Sequence, residues 1–512
     1  MVSLNSRAGK GFSPAGSVTA GLLLFHLLAF PAVYGSNVRL LATLGEISDA
    51  GYLAVPAGRA MKDLGNLGSA FFGAFFFTLT LGAGLCLAAL GAAWAWDHLF
   101  NRRRYILLLF VIPWIAAVYA FMKHDGLTML GTISTVLVPP LVFGTAAIGY
   151  RGRPAFPSLA RFSPLACLPV AAVPWFVLLL SGDSFTCIRD NLLGRSTAGI
   201  VLVEGYYRYT LYPAHVMQSL EQRLQKTCRL EGFDDPKTKR TLKETLVARE
   251  YLVLKKCAAS VDLVIRYRGE DTVSLDNGLE PVTYAGLADF MLRPDVFLSE
   301  YSNATDRRLV LRYLVFFCLL WASPLLLYLV LLKMFRWAAE LFHLEKEEMS
   351  IVIASVLCLV TGTGLLVLSL VGPSPPEGQL RQSLVSTVES ERVTALRVVH
   401  ERGLDMVREL GYGGYGTQAV EMPPLERYWL ARALRHSRDE SARADLLRLA
   451  EDKWTVVSTM AFRSLSHRRR PDMVPEILSR LETNKHWYSQ LEAYRTLRMN
   501  GWRQELPRDC SF

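Results

Sequence analysis

The sequence predicts a mainly α fold: a polytopic helical membrane protein of about seven spans, with a small α+β domain and a C-terminal helical-repeat domain outside the bilayer. Three observations predict it. Of the 512 residues, 51% are apolar and only 20% charged, and the apolar ones are gathered into long separate runs. Strand-like composition is concentrated in one segment, 182–309. A Pro-rich stretch then precedes a region that resembles itself at a nearly constant interval.

The apolar runs are about 17–35, 66–96, 105–122, 127–149, 164–181, 310–332 and 350–371. Each has roughly the length a helix needs to cross about 30 Å of hydrocarbon at about 1.5 Å per residue. The second is long enough to tilt or project. The first follows Arg7 and Lys10 and contains His26 and Pro31. It is read as an uncleaved span rather than a signal peptide. Small residues at Gly82-Ala83-Gly84 and Gly91-Ala92-Ala93 suit close helix packing on the second run. The expected division is 1–181 with five spans, 182–309 extramembrane, 310–371 with two spans, 372–384 a linker, and 385–512 the repeats.

Basic residues in short loops orient such spans. Arg102, Arg103 and Arg104 follow the second span, and Arg151, Arg153 and Arg161 follow the fourth. Both loops are expected in the cytoplasm. Segments 36–65 and 123–125 are nearly balanced in charge and are expected outside. By parity the N-terminus is cytoplasmic, and 182–309 and the C-terminal domain are extracytoplasmic. The expected location is a bacterial plasma (inner) membrane. The net charge of +10 is accounted for by these loops, so nucleic acid is not expected as a partner.

Segment 182–309 reads as α+β. Residues 213–231 begin at Pro213 and place Val216, Leu220, Leu224 and Cys228 at helical spacing. Tyr251–Leu254, Val261–Tyr267 and Thr272–Leu275 have strand composition, closed by Asp276-Asn277-Gly278. Cys187, Cys228, Cys257 and Cys510 fall in the two extramembrane regions. In an oxidising space they are candidates for two disulfides, with three connectivities open. Free thiols are the alternative. The run Tyr206, Tyr207, Arg208, Tyr209 and Tyr212 is a candidate ligand or partner surface through stacking and cation–π contacts. It equally suits an interfacial aromatic belt or an ordinary hydrophobic face.

The linker Gly372-Pro373-Ser374-Pro375-Pro376 opens the C-terminal region. Ala461-Phe462-Arg463-Ser464-Leu465 recurs as Ala493-Tyr494-Arg495-Thr496-Leu497, with Leu430-Ala431-Arg432-Ala433-Leu434 and Ala395-Leu396-Arg397-Val398-Val399 upstream. The offsets are about 35, 31 and 32 residues. A second helix recurs as well, since Leu446, Leu447 and Ala450 correspond to Ile477, Leu478 and Leu481. Over about 385–503 this pattern resembles HEAT-like repeats of the α-solenoid class. The resemblance implies a curved stack that binds other proteins and implies no chemistry. The arginines, nearly balanced by acids, read as a solvated face.

Walker A, HExxH, GxSxG and CxxC patterns are missing from the sequence. No cofactor, metal or catalytic residue is assigned. His26 is the one clear ionisable group inside a span and reads as interfacial. Prolines 113, 139, 140, 169, 174 and 324 interrupt spans, as packing kinks or as breaks around a site. The expected partners are the bilayer and other proteins, the latter through the repeats. The leading expectation is a non-enzymatic membrane scaffold or assembly protein; the alternative is a transporter or lipid-handling permease component. A surface enzyme built on Asp183, Arg189, Asp190 and the tyrosines is a third reading.

Overall fold

The structure is a computed structural model. It describes residues 13–150, 188–210, 215–255, 260–278, 280–341, 347–370, 379–414, 416 and 418–507. The chain is mainly helical and divides into two compact units, 1–35, 70–188 and 307–371 in the first, and 36–69, 189–306 and 372–512 in the second.

Among the described residues, five helices are long and apolar enough to cross a membrane: α1 (Pro14–Asp49), α2 (Leu67–His98), α3 (Arg104–Asp125), α4 (Met129–Gly149) and a fifth whose apolar part is Leu309–Ala338. They coincide with five of the seven expected runs. The run 164–181 lies outside the described residues. Residues 350–370 of the seventh run fall in a helix, Glu347–Leu370, which carries no charged residue between 351 and 370. In lipid the backbone must satisfy its own hydrogen bonds, which helices of this length do.

Small residues set the packing of α2. A Cβ on Gly82 would meet the Phe25 ring at 2.8 Å, and one on Gly84 would meet the Cys318 sulfur at 2.3 Å. Glycine lets both neighbours approach. A π-helical turn, Thr78–Gly82, interrupts α2 here. The Ser323 hydroxyl donates to the Leu79 carbonyl at 2.8 Å, which supplies that turn with a partner from the helix Leu309–Leu341. His26 is buried beside the same turn, 3.0 Å from the Thr78 hydroxyl and within 4.6 Å of the Phe71 ring. It is thus a packed residue of the bundle.

The second unit contains a five-stranded sheet in the order β2-β1-β3-β4-β5. The strands are Lys226–Glu231, Tyr251–Val253, Leu263–Gly269, Thr272–Asp276 and Pro281–Gly286. β1 runs parallel to β2 and β3, and β3, β4 and β5 form an antiparallel meander. The helix expected over 213–231 is corrected, because its last six residues are β1. Its apolar residues obey helical spacing only by coincidence, whereas Cys228 and Leu230 alternate into one face of the sheet. A further helix, α5 (Pro236–Val247), makes the crossover from β1 to β2 and is capped by Asp235. Tyr251 and Val253 point into the core with Cys228, while Leu252 and Leu254 join Leu44, Ile47 and Trp487 on the other face. Cys228 is a free thiol, fully buried, so it takes no part in a disulfide here. Its setting is hydrocarbon, which pushes the thiol pKa far up. Cys187, Cys257 and Cys510 lie outside the described residues.

The C-terminal region is helical. Four helices pack successively in one row: α6 (Glu389–Arg402), α7 (Pro424–Ala433), α8 (Thr455–Ser466) and α9 (Trp487–Met499). Helices Glu440–Leu449 and Val474–Thr483 pack beside α8 and α9 respectively. Side chains bridge the row at a steady interval. The Ser464 hydroxyl donates to the Ala431 carbonyl 33 residues earlier, and the Thr496 hydroxyl to the Phe462 carbonyl 34 earlier. Arg392 grips Glu426 through two 2.7 Å hydrogen bonds, again 34 residues apart. Residues 53–57 are bound into this unit by three glutamines. Gln225, Gln490 and Gln504 each exchange hydrogen bonds with the backbone of Leu53, Val55 or Ala57.

Candidate functional site

The site is built on residues 188–210. A π-helical turn, Ile188–Leu192, and a 3-10 turn, Leu193–Arg195, lead into a helix, Thr197–Tyr209. Ser196 caps that helix, its hydroxyl accepting from the Gly199 N–H at 3.1 Å. Gly199 is required by contact, because a Cβ there would lie 1.9 Å from the Leu193 carbonyl oxygen.

The row of helices grips this segment at several points. Glu204 accepts from the Thr455 hydroxyl at 2.7 Å and from the Val456 N–H at 3.1 Å. It therefore caps α8 from outside, placing a carboxylate at a helix N-terminus that has no cap of its own. Tyr207 stacks on Tyr488 of α9 with ring centroids 4.3 Å apart. Trp429 of α7 donates its indole N–H to the Gly194 carbonyl at 3.0 Å, and Trp487 donates to the Arg208 carbonyl at 3.2 Å.

The centre of the grip is Asp190, which is buried. Its carboxylate accepts from Arg189 at 2.8 Å and from the Tyr428 hydroxyl at 2.6 Å, and it is paired with Arg432. Burial pushes its pKa up, but the hydrogen bonds and charges of Arg189 and Arg432 outweigh burial and hold it at about 2. Asp190 is thus a fixed anion. A residue poised to exchange protons near neutrality has the opposite character.

The repeated arginine is what sequence reasoning missed. Arg397, Arg432 and Arg463 occupy the same place in successive repeats, where a solvated face was expected. Arg397 is 3% exposed. It donates to Asn191 at 2.7 Å and lies 4.9 Å over the Trp429 ring. Arg432 holds Asp190, and Arg463 holds Glu492 and the Tyr488 hydroxyl. These side chains are in register with residues of the 188–210 segment or with the ring that Tyr207 stacks on. A recurring arginine inside an otherwise apolar frame was the available signal.

Beside this cluster is a cleft of about 550 Å³, lined by Arg195, Ser196, Thr197, Glu389, Ser390, Thr394 and Arg397, with Val388, Val393 and Leu425. Further along α6 and α7, His400 accepts through Nε2 from Arg432 at 2.8 Å, which requires a neutral imidazole. Burial, then the charges of Arg432, His436 and Arg435, lower its pKa to about 3. Burial also lowers His436 and His467.

The predicted tyrosine surface is divided by the fold. Tyr207 is buried against Tyr488, whereas Tyr206 is exposed and Tyr209 half-buried. The Arg208 guanidinium lies 5.8 Å from the Tyr209 ring. Tyr212 and Asp183 lie outside the described residues. Val201, Leu202 and Tyr206 form an exposed apolar stripe on the side of the helix opposite Ile200, Val203 and Tyr207.

The first unit holds a separate apolar cavity of about 460 Å³, lined by residues including Leu85, Ala88, Trp114, Pro139, Pro140 and Phe143. The Trp114 indole donates to the Thr135 carbonyl at 2.7 Å, so its polar end is already engaged. Among the described residues no group of three or more His, Cys, Asp or Glu is placed to hold a metal ion. No known family model matches the chain, and neither a curated protein nor a solved structure is found similar to it.

Two outcomes are expected. Asp190→Ala leaves Arg189 and Arg432 buried without their anion and should destabilise the second unit by about 3–5 kcal/mol. Chemical unfolding of the variant beside the parent measures this, and a loss below about 1 kcal/mol, the worth of an exposed pair, would refute the central role. The histidines give a pH dependence. Their folded pKa values lie below the ordinary 6.5, so the unfolded chain binds protons first. Their stability contribution is whole above about pH 6.5 and falls as pH drops toward about 3. Unfolding midpoints at pH 7.5 and 5 should differ, and His400→Gln should reduce the difference. Identical slopes in both proteins would contradict it.

Proposed function

We propose that the chain is an integral membrane scaffold that presents a protein-docking surface on its second unit. One observation carries the reading: the exposed stripe Val201, Leu202 and Tyr206 lies on a helix whose other face is held by the helical row. A helix pinned on one side presents the other with little conformational entropy left to lose, which favours binding. Exposed apolar residues that share a face, with an aromatic among them, suit a protein partner. The row of helices α6 to α9 supports the same reading, since stacked helical repeats, which the C-terminal sequence resembles, serve as binding platforms. In this reading the row takes the chain's own helix as its first ligand, and the partner docks on that helix. The extracytoplasmic placement of the unit, drawn from loop charges, belongs to the same proposal.

Affinity capture from native membranes in mild detergent tests it. The parent should retain a stoichiometric partner, and Leu202→Glu with Tyr206→Glu should lose it while keeping the parental unfolding profile. Capture unchanged by the double substitution rules the stripe out.

A second reading is a lipid-handling or transport component, favoured by the 460 Å³ apolar cavity of the first unit. Its size and lining suit a hydrocarbon chain. Ala92→Trp, at its wall, should reduce co-purified lipid seen by native mass spectrometry. Undiminished lipid would remove the support.

A further inference from the structure

We infer that the cleft between residues 195–197 and helix α6 is a binding site for a small oxyanion, a phosphate or carboxylate group. Two arginines and four hydroxyl-bearing side chains, Ser196, Thr197, Ser390 and Thr394, line one space of about 550 Å³. That size is within the ordinary range of small-molecule sites, about 300–1,000 Å³. A helix of 13 residues, Thr197–Tyr209, begins in it, and its N-terminus adds partial positive charge.

The second, independent observation is Arg397. Its guanidinium is almost wholly buried and lines the cleft. One arm is used by Asn191 at 2.7 Å, and Glu401 is 3.9 Å away, but the buried Nε has no hydrogen-bond partner among the described residues. A buried donor left unmade costs about 1–3 kcal/mol or more, and Glu401 at 3.9 Å offsets the guanidinium's charge only weakly, so Arg397 brings excess positive charge to the cleft wall. The surrounding charge points the same way. Arg195 and Arg432 repel Arg397, while Glu401 and Asp190 oppose them only in part. Burial first, and then those arginines, lower its pKa to about 10. Asp190 is already committed to Arg189, Arg432 and Tyr428.

Glu389 also lines the cleft. It disfavours a bare polyanion and favours a ligand that pairs its anionic group with a hydroxyl or amine. The hydroxyl lining is consistent with that, since Ser and Thr serve as donor or acceptor. The expected class is therefore a small hydroxylated phosphate or carboxylate.

Equilibrium dialysis of the full chain in detergent against radiolabelled inorganic phosphate, glycerol phosphate and citrate tests the site, with chloride at matched ionic strength as the control. At least one should bind saturably, with one site per chain. Arg195→Gln, at a partly exposed position, should weaken that binding about tenfold, the effect of losing roughly 1.4 kcal/mol of charge-assisted contact. Arg397→Lys should weaken it as well while leaving the circular dichroism spectrum unchanged. Arg408→Gln, on an exposed side chain away from the cleft, should bind as the parent does. Failure of all three probes to saturate overturns the inference, and so does binding that Arg195→Gln leaves untouched. Partner capture by the 201–206 stripe is a separate measurement, so either result stands without the other.

Discussion

A single buried carboxylate organises the second unit. Asp190 is committed to two arginines and a tyrosine, one arginine from its own turn and the other two partners from α7. Removing it would strand like charges in a low-dielectric interior, where among the described residues neither has another anion of comparable geometry. The surrounding features depend on its position. Asn191, the next residue, reaches Arg397. Four residues on, the Gly194 carbonyl meets the Trp429 indole. The helix starting at Thr197 is then aimed so that Glu204 and Tyr207 reach α8 and α9 in turn.

Ionic contacts of this kind contribute more to register than to net stability. A buried pair replaced by apolar residues often loses nothing, so the attraction alone does not explain its presence. A stack of similar helices has a different need. Apolar faces of Ala, Leu and Val fit one another at several offsets, and a displaced stack would still bury most of its surface. The bonds from Ser464 to Ala431, from Thr496 to Phe462 and from Arg392 to Glu426 are satisfied in one register only. The arginine recurring once per repeat extends this to the inserted segment. Shifting 188–210 by one repeat would present Asp190 to Arg463, whose place is already filled by Glu492.

The parts of the fold legible in the sequence are those with local periodicity. Spans announce themselves by length and hydropathy, and the sequence interval of about 31–35 residues is close to the 33- and 34-residue spacing of side-chain bridges along the row. Strands β2, β3 and β4 were visible through β-branched and aromatic composition. β1 was not, because Val216, Leu220, Leu224 and Cys228 mimic a helical stripe while only the alternation of Cys228 and Leu230 matters. The site was the least legible part. Glu204, Tyr428 and Gln225 are polar residues whose partners lie far along the chain, and although Arg189 adjoins Asp190, the Tyr428 hydroxyl that helps hold it comes from 238 residues away. The tyrosine run was visible as composition, but which ring is buried follows from helix phase. Tyr207 shares a face with Ile200 and Val203, and Tyr206 with Val201 and Leu202. Each arginine of the repeats was read by charge balance, which cannot distinguish an exposed pair from a buried one.

Helix Thr197–Tyr209 consequently has three distinct surroundings. Its first turn borders the cleft lined by Arg195 and Arg397, its inner side is held by the row, and its outer side carries the exposed residues Val201, Leu202 and Tyr206. A helix is stiff over 13 residues, so movement at its start is carried to its outer face. Gly199 sharpens this link: with the Leu193 carbonyl packed against its Cα, the helix start cannot tilt without displacing the turn that holds Asp190 and Asn191. A ligand that pulls Arg397 away from Asn191 would therefore bear on the same turn. By linkage, any effect of such a ligand on partner affinity must be matched by an equal effect of the partner on ligand affinity. The size of that coupling depends on how far the Asp190 cluster resists rotation of the turn. An anion held by two arginines and a tyrosine resists strongly, so the physical expectation is a stiff platform with weak coupling between cleft and stripe.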